Sequence, residues 1–436
     1  MHFISNIPAM KNISIVVQIL VFSLTAKAVI AQEDNYQQPS LPAPFATKSS
    51  MKFSKVVGWK DDEKPKAPGG FSVSSYAADF QNPRWIYVLP NGDVLVAESN
   101  SNHSFFEKIG ASIIGASKSN SMKSSADRIT LLRDRDKNGV VDFRSTFLAG
   151  LNQPFGMLFL NGWLYVANTD AIVRFPYKDD QTSITASSEK LVDLPGGARH
   201  WTKSMIANKE GTRIYIGVGS SSNIAERGIE KELLRANILQ MSPDGKDLKV
   251  YASGLRNPVG MDWSSDGTLW TVVNERDELG DDLVPDYLTH VESEGFYGWP
   301  YLYWGNHPDP RVKDQKPEAA VNVLTPDVSL GAHTASLGLA FYSGNAFPER
   351  YRNGAFIGQH GSWNRSTLSG YKVVFVPFQN GKPSGKPEDF LTGFVTDLAK
   401  RKVHGRPVGV TNMPDGSLLV ADDKSNVVWR IVYEKK

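Results

Sequence analysis

The sequence predicts an all-β protein, specifically a six-bladed β-propeller. One pattern recurs six times beyond residue 80: a hydrophobic strand, a tight turn often spelled Asn-Gly or Asp-Gly, and a second hydrophobic strand. The copies lie roughly 50 to 80 residues apart, which leaves room for four short strands in each blade. The chain also has 37 Gly and 25 Pro, a composition that favours many turns. The alternative is a β-sandwich or barrel whose hairpins are similar by accident.

The six copies can be read directly from the sequence. They are PRWIYVLPNGDVLVAES from Pro83, QPFGMLFLNGWLYVAN from Gln153, KSMIANKEGTRIYIGVG from Lys203, NPVGMDWSSDGTLWTVVNE from Asn257, the looser SLGLAFYSGNAFPERYRNGAFIGQHG from Ser336 and RPVGVTNMPDGSLLVADD from Arg406. Asn-Gly and Asp-Gly suit tight hairpins because the central residues of such turns need positive φ. If the same strand of each copy points at one axis, the polar residues at the copy junctions converge on one mouth.

The composition limits the classes of function. The chain has 436 residues, of which 41% are hydrophobic and 22% charged, and its net charge is +2; these values are ordinary for a soluble globular protein with a large core. A near-neutral balance gives no support to a nucleic-acid or anionic-membrane partner. The chain has no cysteine, which excludes disulfides, thiolate catalysis and thiolate metal sites.

Residues 1–31 are typical of a secretory signal peptide. The apolar run from Ile13 to Phe22 is short for a membrane span, and small residues follow up to Ala31. We expect cleavage after Ala31 and a periplasmic or secreted protein without stable membrane insertion; the alternative is an uncleaved anchor. Residues 32–70 are polar and Pro-rich, which predicts a leader or linker partly draped on the propeller domain of residues 71–436.

The segment NERDELGDD, Asn274 to Asp282, follows a strand-like run and carries five acids and one arginine. Such a density of carboxylates is costly unless the segment is solvated or holds a cation.

Polar residues at other junctions point to an anionic ligand. If the copies converge, histidines and arginines from several junctions face one cavity; they include Arg199, His200, Arg256, His333, His360, Arg365, His404 and Arg406. Several guanidinium groups around one cavity favour a polyanion, because each pairs with a carboxylate in bidentate fashion. A histidine there is suited to act as a base near neutral pH. The alternative for each residue is a hydrogen bond between neighbouring blades.

Together these motifs resemble a known family. GLRNPVGMDW, NERDELGDD, GFYGWPY, HGSWNR and the closing RPVGV, PDG and VADD are similar to the sorbosone and glucose dehydrogenases that use pyrroloquinoline quinone (PQQ). The resemblance runs from about residue 80 to the end of the chain. It implies a six-bladed propeller with the quinone lying across its mouth, held by Ca²⁺ and basic side chains. It also implies oxidation of a sugar or sugar aldehyde, with an external electron acceptor such as a cytochrome or quinone.

The resemblance assigns a role to His200 as the general base, which takes the proton of the substrate hydroxyl as hydride moves to the quinone. The residues implied to bind the quinone are Arg256, Asn257, Arg365 and Arg406. The residues implied to give main-chain oxygens to Ca²⁺, which accepts such ligands without strict geometry, are Arg276 and Asp277. The residues implied on the substrate side are Gln153, Glu275, Asp281 and His333.

Two positions depart from the family pattern. Ser220 stands where glucose-oxidising members have an Asp that orients the base, and Val408 replaces the second arginine of the closing pair. We expect the first change to remove the partner that fixes the tautomer of His200, and the second to remove a positive charge from the quinone site. Both fit the sorbosone-like branch better than a simple glucose dehydrogenase, and both are compatible with a member that has lost activity.

Two further segments have a distinctive composition. Asp134 to Gly139 resembles the first half of a calcium loop, but its twelfth position is Ser145 rather than Glu, so the alternative is a hairpin turn. Residues 103–126, rich in Ser, Lys and Gly, are typical of an inserted loop.

Three functions compete on the sequence alone. They are a PQQ-dependent oxidoreductase, a calcium-dependent hydrolase similar to the propeller lactonases, and a non-catalytic binding module. The basic residues at the junctions favour an anionic cofactor over a bare metal.

Overall fold

The computed structural model describes residues 36–60, 62–101, 124–197, 199–312 and 322–434. Within these ranges the regular structure is almost entirely β-strand, with short 3₁₀ helices such as Ile229–Glu232 and Glu349–Tyr351, so the all-β prediction is confirmed. The predicted signal peptide and most of the predicted insertion lie outside the described residues. In the described part of the chain, no helix is long and apolar enough to cross a membrane.

Six antiparallel sheets contain most of the described strands. Sheet 1 consists of β3 (Pro83–Val88), β4 (Val94–Glu98), β5 (Arg128–Arg133) and β6 (Phe143–Leu148). Sheet 2 consists of β7 (Met157–Leu160), β8 (Trp163–Ala167), β9 (Ala171–Pro176) and β10 (Glu189–Asp193). Sheet 3 consists of β11 (Lys203–Ala207), β12 (Ile214–Val218), β13 (Asn237–Met241) and β14 (Lys249–Ser253).

The remaining three large sheets come from the second half of the chain, with one exception. Sheet 4 consists of β15 (Pro258–Trp263), β16 (Leu269–Val273), β17 (Pro285–His290) and β20 (Val328–Ala332). Sheet 5 consists of β21 (Ser336–Phe341), β22 (Gly354–Gln359), β23 (Lys372–Gln379), β24 (Lys382–Pro383) and β25 (Glu388–Leu391). Sheet 6 consists of β28 (Pro407–Asn412), β29 (Leu418–Asp422), β30 (Val427–Tyr433) and, as its outer strand, β2 (Phe71–Ala77).

Two small sheets complete the described strands. One pairs β1 (Lys55–Val56) with β27 (Lys402–Val403), which in turn pairs with β26 (Val395–Asp397). The other pairs β18 (Leu302–Tyr303) with β19 (His307–Pro308).

The six predicted copies correspond to the first two strands of the six large sheets. The connecting turns use glycine where the backbone requires positive φ: Gly92 between β3 and β4 has φ 93°, and Gly416 between β28 and β29 has φ 82°. The second strand of a sheet is buried on both faces; all residues of β4, β12 and β29 are buried. A strand buried on both faces needs a neighbouring layer on each side, which explains its near-continuous apolar sequence.

The packing between sheets follows a closed order. The first strands contact one another in the order β3, β7, β11, β15, β21, β28 and again β3. Six apolar clusters lie between successive sheets, as in the cluster of Leu95 with Leu164 between sheets 1 and 2. A seventh cluster takes its members from the region of the first strands: Trp85, Phe155, Trp201, Val259, Leu337 and Val408.

Val408 differs from the sequence expectation. Its side chain is fully buried in this seventh cluster. The residue at position 408 therefore packs in an apolar interior, and the absence of an arginine there creates no gap in a charged site.

Residues 44–56, which we call the strap, lie along the loops at one end of the sheets. The Phe45 N–H donates to the Leu279 carbonyl at 2.8 Å, and the Lys52 N–H donates to the Trp363 carbonyl at 2.8 Å. Strand β1 then continues in parallel beside β27. This part of the predicted leader is attached to the domain by backbone hydrogen bonds at several points, although many of its side chains are exposed.

The calcium-like sequence at Asp134 forms the connection between β5 and β6. The Asp134 carboxylate accepts hydrogen bonds from the Asn138 N–H at 3.1 Å and the Gly139 N–H at 2.6 Å. Among the described residues, no group of three or more His, Cys, Asp or Glu side chains is arranged to hold a metal ion. The structure here matches the hairpin-turn alternative.

Candidate functional site

A cavity of about 430 Å³ opens at one end of the sheets, where first strands begin and second strands end. The residues before β11, β15 and β28 supply His200, Arg256 and Arg406, and the residue after β16 supplies Asn274. Antiparallel pairing explains the convergence, since the start of each first strand lies beside the end of the second, as Pro407 does beside Asp422. The junction prediction is therefore correct for this part of the site.

The lining is strongly basic. Five cationic side chains line the cavity: Arg84, Arg199, Arg256, Arg406 and Lys424. The lining includes one carboxylate, that of Asp277, among the described residues. An excess of positive charge in a partly enclosed cavity concentrates the field on an anionic ligand.

A buried carboxylate organises one side of this lining. Asp423 accepts contacts from Arg84 Nη1 at 2.7 Å, His360 Nε2 at 2.8 Å and Lys424 Nζ at 3.1 Å. Burial alone would raise the pKa of Asp423, but His360, Lys424 and Arg84 together lower it well below its usual range. Burial lowers the pKa of Lys424 to about 8, with Asp423 opposing the shift. The buried Asp423 carboxylate thus holds Arg84 and Lys424 in the cavity lining.

His200 is a neutral histidine with a fixed tautomer. Its Nδ1 lies 2.9 Å from the Ser220 carbonyl oxygen and 3.0 Å from Ser220 Oγ, and that hydroxyl donates to the Ser222 carbonyl at 2.6 Å. Both Ser220 oxygens are thus acceptors towards the ring, so Nδ1 carries the proton and Nε2 keeps its lone pair. Burial, and then the charge of Arg256, lower the pKa of His200 well below the usual value for histidine.

This arrangement differs from the expectation for Ser220. The sequence suggested that losing an Asp at this position leaves the His200 tautomer unfixed. Instead, the backbone carbonyl of Ser220 fixes it. Among the residues that the structure describes, no carboxylate is hydrogen-bonded to the His200 ring, so the ring is oriented without being made more basic.

Arg256 is almost completely buried and saturated with hydrogen bonds. Its guanidinium donates to Asn223 and to the Asn274 and Glu275 carbonyls, at 3.0 and 2.6 Å for the last two. It also contacts Asp277 Oδ2 at 3.3 Å. The guanidinium therefore holds the segment 274–277 against the cavity wall, and it also supplies positive charge there.

Of the two residues predicted to give a main-chain oxygen to calcium, Asp277 has a carbonyl that is already hydrogen-bonded. The Asp277 carbonyl accepts hydrogen bonds from Arg276 Nε at 2.9 Å, Arg276 Nη2 at 2.7 Å and Asn223 Nδ2 at 3.2 Å. The Arg276 side chain is itself buried in an ion pair with Asp309. A divalent cation bound to the Asp277 oxygen would lie beside a guanidinium, so this oxygen does not fit the predicted calcium site.

The carboxylates of this segment also have partners. Burial would raise the pKa of Asp277, but a hydrogen bond from His333 and the charge of Arg256 lower it. His333 contacts Asp277 Oδ1 at 3.3 Å through Nδ1 and the Gly280 carbonyl at 2.8 Å through Nε2. Burial raises the pKa of Glu275 to about 7. Arginine and histidine side chains thus compensate part of the negative charge of this segment, and burial favours the protonated form of Glu275.

Several residues with implied roles lie outside the cavity lining. Arg365 donates to the Asp281 carbonyl at 3.0 Å and to Asp282 Oδ1 at 2.6 Å. The Asp281 carboxylate binds the N–H and hydroxyl of Ser366. Gln153 donates to the carbonyl of the lining residue Asn100 at 2.7 Å. The residues implied on the substrate side or at the quinone that do not line the cavity are Gln153, Glu275, Asp281, His333 and Arg365.

The donor set fits an anionic cofactor. Asn257 Oδ1 and Arg84 Nε are buried without a hydrogen-bond partner among the residues that the structure describes. Buried polar atoms are normally satisfied, and both residues line the cavity, so a polar ligand there would complete the set. With five cations in the lining, a ligand bearing several carboxylates fits best.

Comparison with known proteins gives the family. The pattern of DUF7133, a domain of unknown function, matches residues 64–430. The chain belongs to this family. Its sequence is 29% identical over 304 residues to an uncharacterised protein of Borreliella burgdorferi, covering 66% of this chain and 78% of that protein.

Comparisons of sequence and of structure also give dehydrogenases. The chain is 25% identical over 312 residues to a pyrroloquinoline quinone-dependent pyranose dehydrogenase of Coprinopsis cinerea, covering 58% of this chain and 42% of the length of that enzyme. The DUF7133 fold is similar to the holo PQQ domain of the Coprinopsis cinerea pyranose dehydrogenase, with a TM-score of 0.68 and 20% identity over 87% of this chain and all of that domain. It is also similar to the PQQ-bound aldose sugar dehydrogenase of Streptomyces coelicolor, with a TM-score of 0.55, 15% identity and coverage of 84% and 99%.

Sequence reasoning missed several lining residues of this DUF7133 domain. Arg84 and Lys424 stand at copy junctions, in PRW and directly after VADD, so their positions carried a usable signal. Met51 and Phe53 also line the cavity but come from the strap. No periodicity in the leader could have placed them there.

Proposed function

We propose that this protein is a PQQ-dependent oxidoreductase that oxidises a sugar or sugar aldehyde, built on a six-bladed β-propeller. One observation carries the proposal: a neutral histidine, His200, with an unprotonated Nε2 lines the same cavity as five cationic side chains. A base for the substrate and a cradle for an anionic cofactor are thus adjacent.

The closed order of first-strand contacts supports six blades around one axis. Each large sheet contributes its first strand to that order, and the seventh apolar cluster draws one residue from the region of each first strand. The fold likeness to PQQ domains agrees with this arrangement.

The basic lining would hold the cofactor. PQQ carries three carboxylates, and when bound it accepts the hydride of the substrate. The residues available to bind those carboxylates and the polar ring atoms are Arg84, Arg199, Asn257, Arg406 and Lys424. Guanidinium pairs with carboxylate in a planar, bidentate way, which orients the ligand as well as neutralising it.

His200 would act on the substrate. The Ser220 carbonyl holds the Nδ1–H, so Nε2 can accept the proton of the substrate hydroxyl. Because the pKa of His200 is lowered, the ring is already in its basic form at neutral pH. The same lowering makes it a weaker base than a histidine backed by a carboxylate.

Several finer points belong to the proposal as predictions. The substrate is a small sugar or aldehyde of the kind used by the sorbosone-like branch, and electrons pass on to an external acceptor such as a cytochrome or quinone. Export to the periplasm or the exterior is predicted by the first 31 residues. Calcium remains a prediction of the resemblance, and no step depends on it. Five cations at the cavity disfavour the alternative of a calcium-dependent hydrolase.

The test is reconstitution of the purified protein with PQQ. Quinone binding is measured by quenching of tryptophan fluorescence, and turnover by dye-linked reduction with a panel of sugars. We expect Arg406→Gln, which changes the cavity lining, to weaken quinone binding at least about tenfold. Arg365→Gln is the matched control, because Arg365 pairs with Asp282 outside the lining. Quinone binding without any turnover would favour a binding module, and no quinone binding would refute the proposal.

A further inference from the structure

The strap borders the cavity at two side chains. Met51 and Phe53 both line it, together with His200. Met51 is 55% exposed and so lies at the rim, whereas Phe53 is half-buried. The ring of Phe53 is stacked parallel to that of Trp363, another lining residue, with centroids 6.0 Å apart and planes 8° apart.

The strap is anchored on both sides of this point. On one side, Thr47 Oγ1 accepts the Asp281 N–H at 2.7 Å and Ser49 Oγ accepts the Gly280 N–H at 3.2 Å. Closer to Phe53, Asn364 Nδ2 donates to the Ser50 carbonyl at 3.2 Å, and β1 follows immediately. Phe53 is therefore a fixed part of the cavity wall, held by the loops at 280–281 and 363–364.

The aromatic pair supplies an apolar surface in a cavity otherwise dominated by charge. Most other lining groups are arginines, histidines, asparagines and a lysine. A cyclic sugar has hydroxyls at its edge and an apolar face of C–H groups, and such a face gains free energy when it leaves water against an aromatic ring. A short open-chain aldehyde has no comparable face.

We propose that Phe53, with Trp363 behind it and Met51 at the rim, is the specificity-determining surface that selects a cyclic sugar over a short open-chain aldehyde. The inference rests on the proposed function. The strap contributes two of the apolar lining residues, and both lie before residue 64, where the match to the DUF7133 pattern begins. Two of the three residues of this surface thus come from a segment that precedes the matched domain, and the third, Trp363, comes from within it.

The experiment compares Phe53→Ala with Phe45→Ala in the full chain. Phe45 is 56% exposed on the same strap and does not line the cavity, so its replacement controls for loss of an aromatic side chain from the strap. In the PQQ-loaded enzyme we expect Phe53→Ala to raise KM for D-glucose about tenfold or more. The kcat value should change less, and KM for glyceraldehyde should change by less than about twofold. Phe45→Ala should match the wild type for both substrates.

Calorimetric titration of the quinone-free proteins with D-glucose and with glyceraldehyde provides a readout that needs no turnover. Weaker glucose binding in Phe53→Ala alone supports the surface even if the enzyme proves inactive, in which case only the proposed reaction fails. Equal glucose binding in all three proteins, or equal losses for glucose and glyceraldehyde, overturns the inference. Quinone quenching and thermal unfolding unchanged from wild type show that the variant is folded and its cofactor site intact.

Discussion

His200 and His360 line the same cavity, and burial makes both neutral, but different partners hold them. The Nδ1 of His200 lies against a neutral carbonyl of Ser220, whereas the Nε2 of His360 lies against the buried Asp423 carboxylate. Burial and then Arg406 lower the pKa of His360 to about 3, although Asp423 opposes the shift. A histidine beside a carboxylate thus stays neutral here, because burial and the charge of Arg406 outweigh the effect of Asp423 on its pKa.

The difference separates two functions within one cavity. His360 belongs to the charged cluster on the side of Arg84 and Lys424, where its ring N–H helps to hold Asp423 in place. In the described part of the chain, His200 is hydrogen-bonded only to the neutral Ser220, through Nδ1, and under the proposed function its Nε2 lone pair acts on the substrate. Under the proposed function, the base is therefore the histidine that has a carbonyl partner and not the one beside a carboxylate.

The largest expected effect is on His200. Replacing it with Gln removes the base, so turnover with a sugar should fall about a hundred- to ten-thousand-fold. Quinone binding should persist, since the ring acts on substrate. His360→Gln is the matched variant and should reduce quinone affinity more than kcat. Steady-state rates combined with quinone titrations distinguish the two, and a fully active His200→Gln enzyme would refute the assigned base.

The next effect concerns the partner of His360. Asp423→Asn leaves Arg84 and Lys424 buried without their counter-charge, so the free energy of unfolding should fall by about 3–5 kcal/mol. Asp389→Asn breaks a more exposed pair with Lys372 and should cost less than about 1 kcal/mol. Urea unfolding monitored by fluorescence measures both. Equal, small losses would mean that Asp423 does not hold the cluster together.

A smaller effect is expected when the partner of His200 is made acidic. The base form is the active one, and the lowered pKa of His200 keeps it active well below pH 6.5 in the wild type. Ser220→Asp places a negative charge near Nδ1 and raises this pKa, so the acid limb of kcat/KM should move to higher pH by about one unit or more. The measurement is the pH profile of kcat/KM. An unmoved acid limb would show that Ser220 does not control the titration of His200.

The smallest effect should follow removal of calcium. Of the two main-chain oxygens implied to bind calcium, that of Asp277 already accepts two hydrogen bonds from the Arg276 guanidinium. We therefore expect chelator to change quinone affinity by less than about tenfold. Fluorescence titration with and without added Ca²⁺ checks this, and a larger loss that Ca²⁺ restores would support the metal site that the resemblance implies.

The sequence allowed us to predict the positions of those cavity residues that stand at the junctions of the repeated copies. His200, Arg256, Asn257 and Arg406 stand at copy junctions, and pairing within each sheet brings all four to the cavity. Its errors were of a different kind. The Ser220 carbonyl is a backbone group, invisible in a side-chain pattern, and the fate of Val408 depends on packing at the centre of the fold.

Other features lay beyond any local pattern. Phe53 reaches Trp363 across more than three hundred residues, and nothing in the leader sequence encodes that contact. Arg365 stands in a motif that implied a ligand-binding cation, and its ion-pair partner is Asp282, 83 residues earlier in the chain. The acid density of NERDELGDD predicted a cation, and guanidinium groups of the chain itself contact two of these carboxylates, those of Asp277 and Asp282.

Sheet 6 has a consequence for how the molecule assembles. Its outer strand β2 comes from the start of the domain and pairs with β30 near the end, from Phe71 opposite Tyr433 to Ala77 opposite Val428. Contacts between such distant parts of a chain form late and slowly. During synthesis β2 is among the first strands made, yet it has no partner until the last strand emerges. The apolar clusters on both sides of sheet 6 are incomplete until β2 pairs with β30. We therefore expect the interior next to sheet 6 to become inaccessible to water only after the residues of β30 have been synthesised.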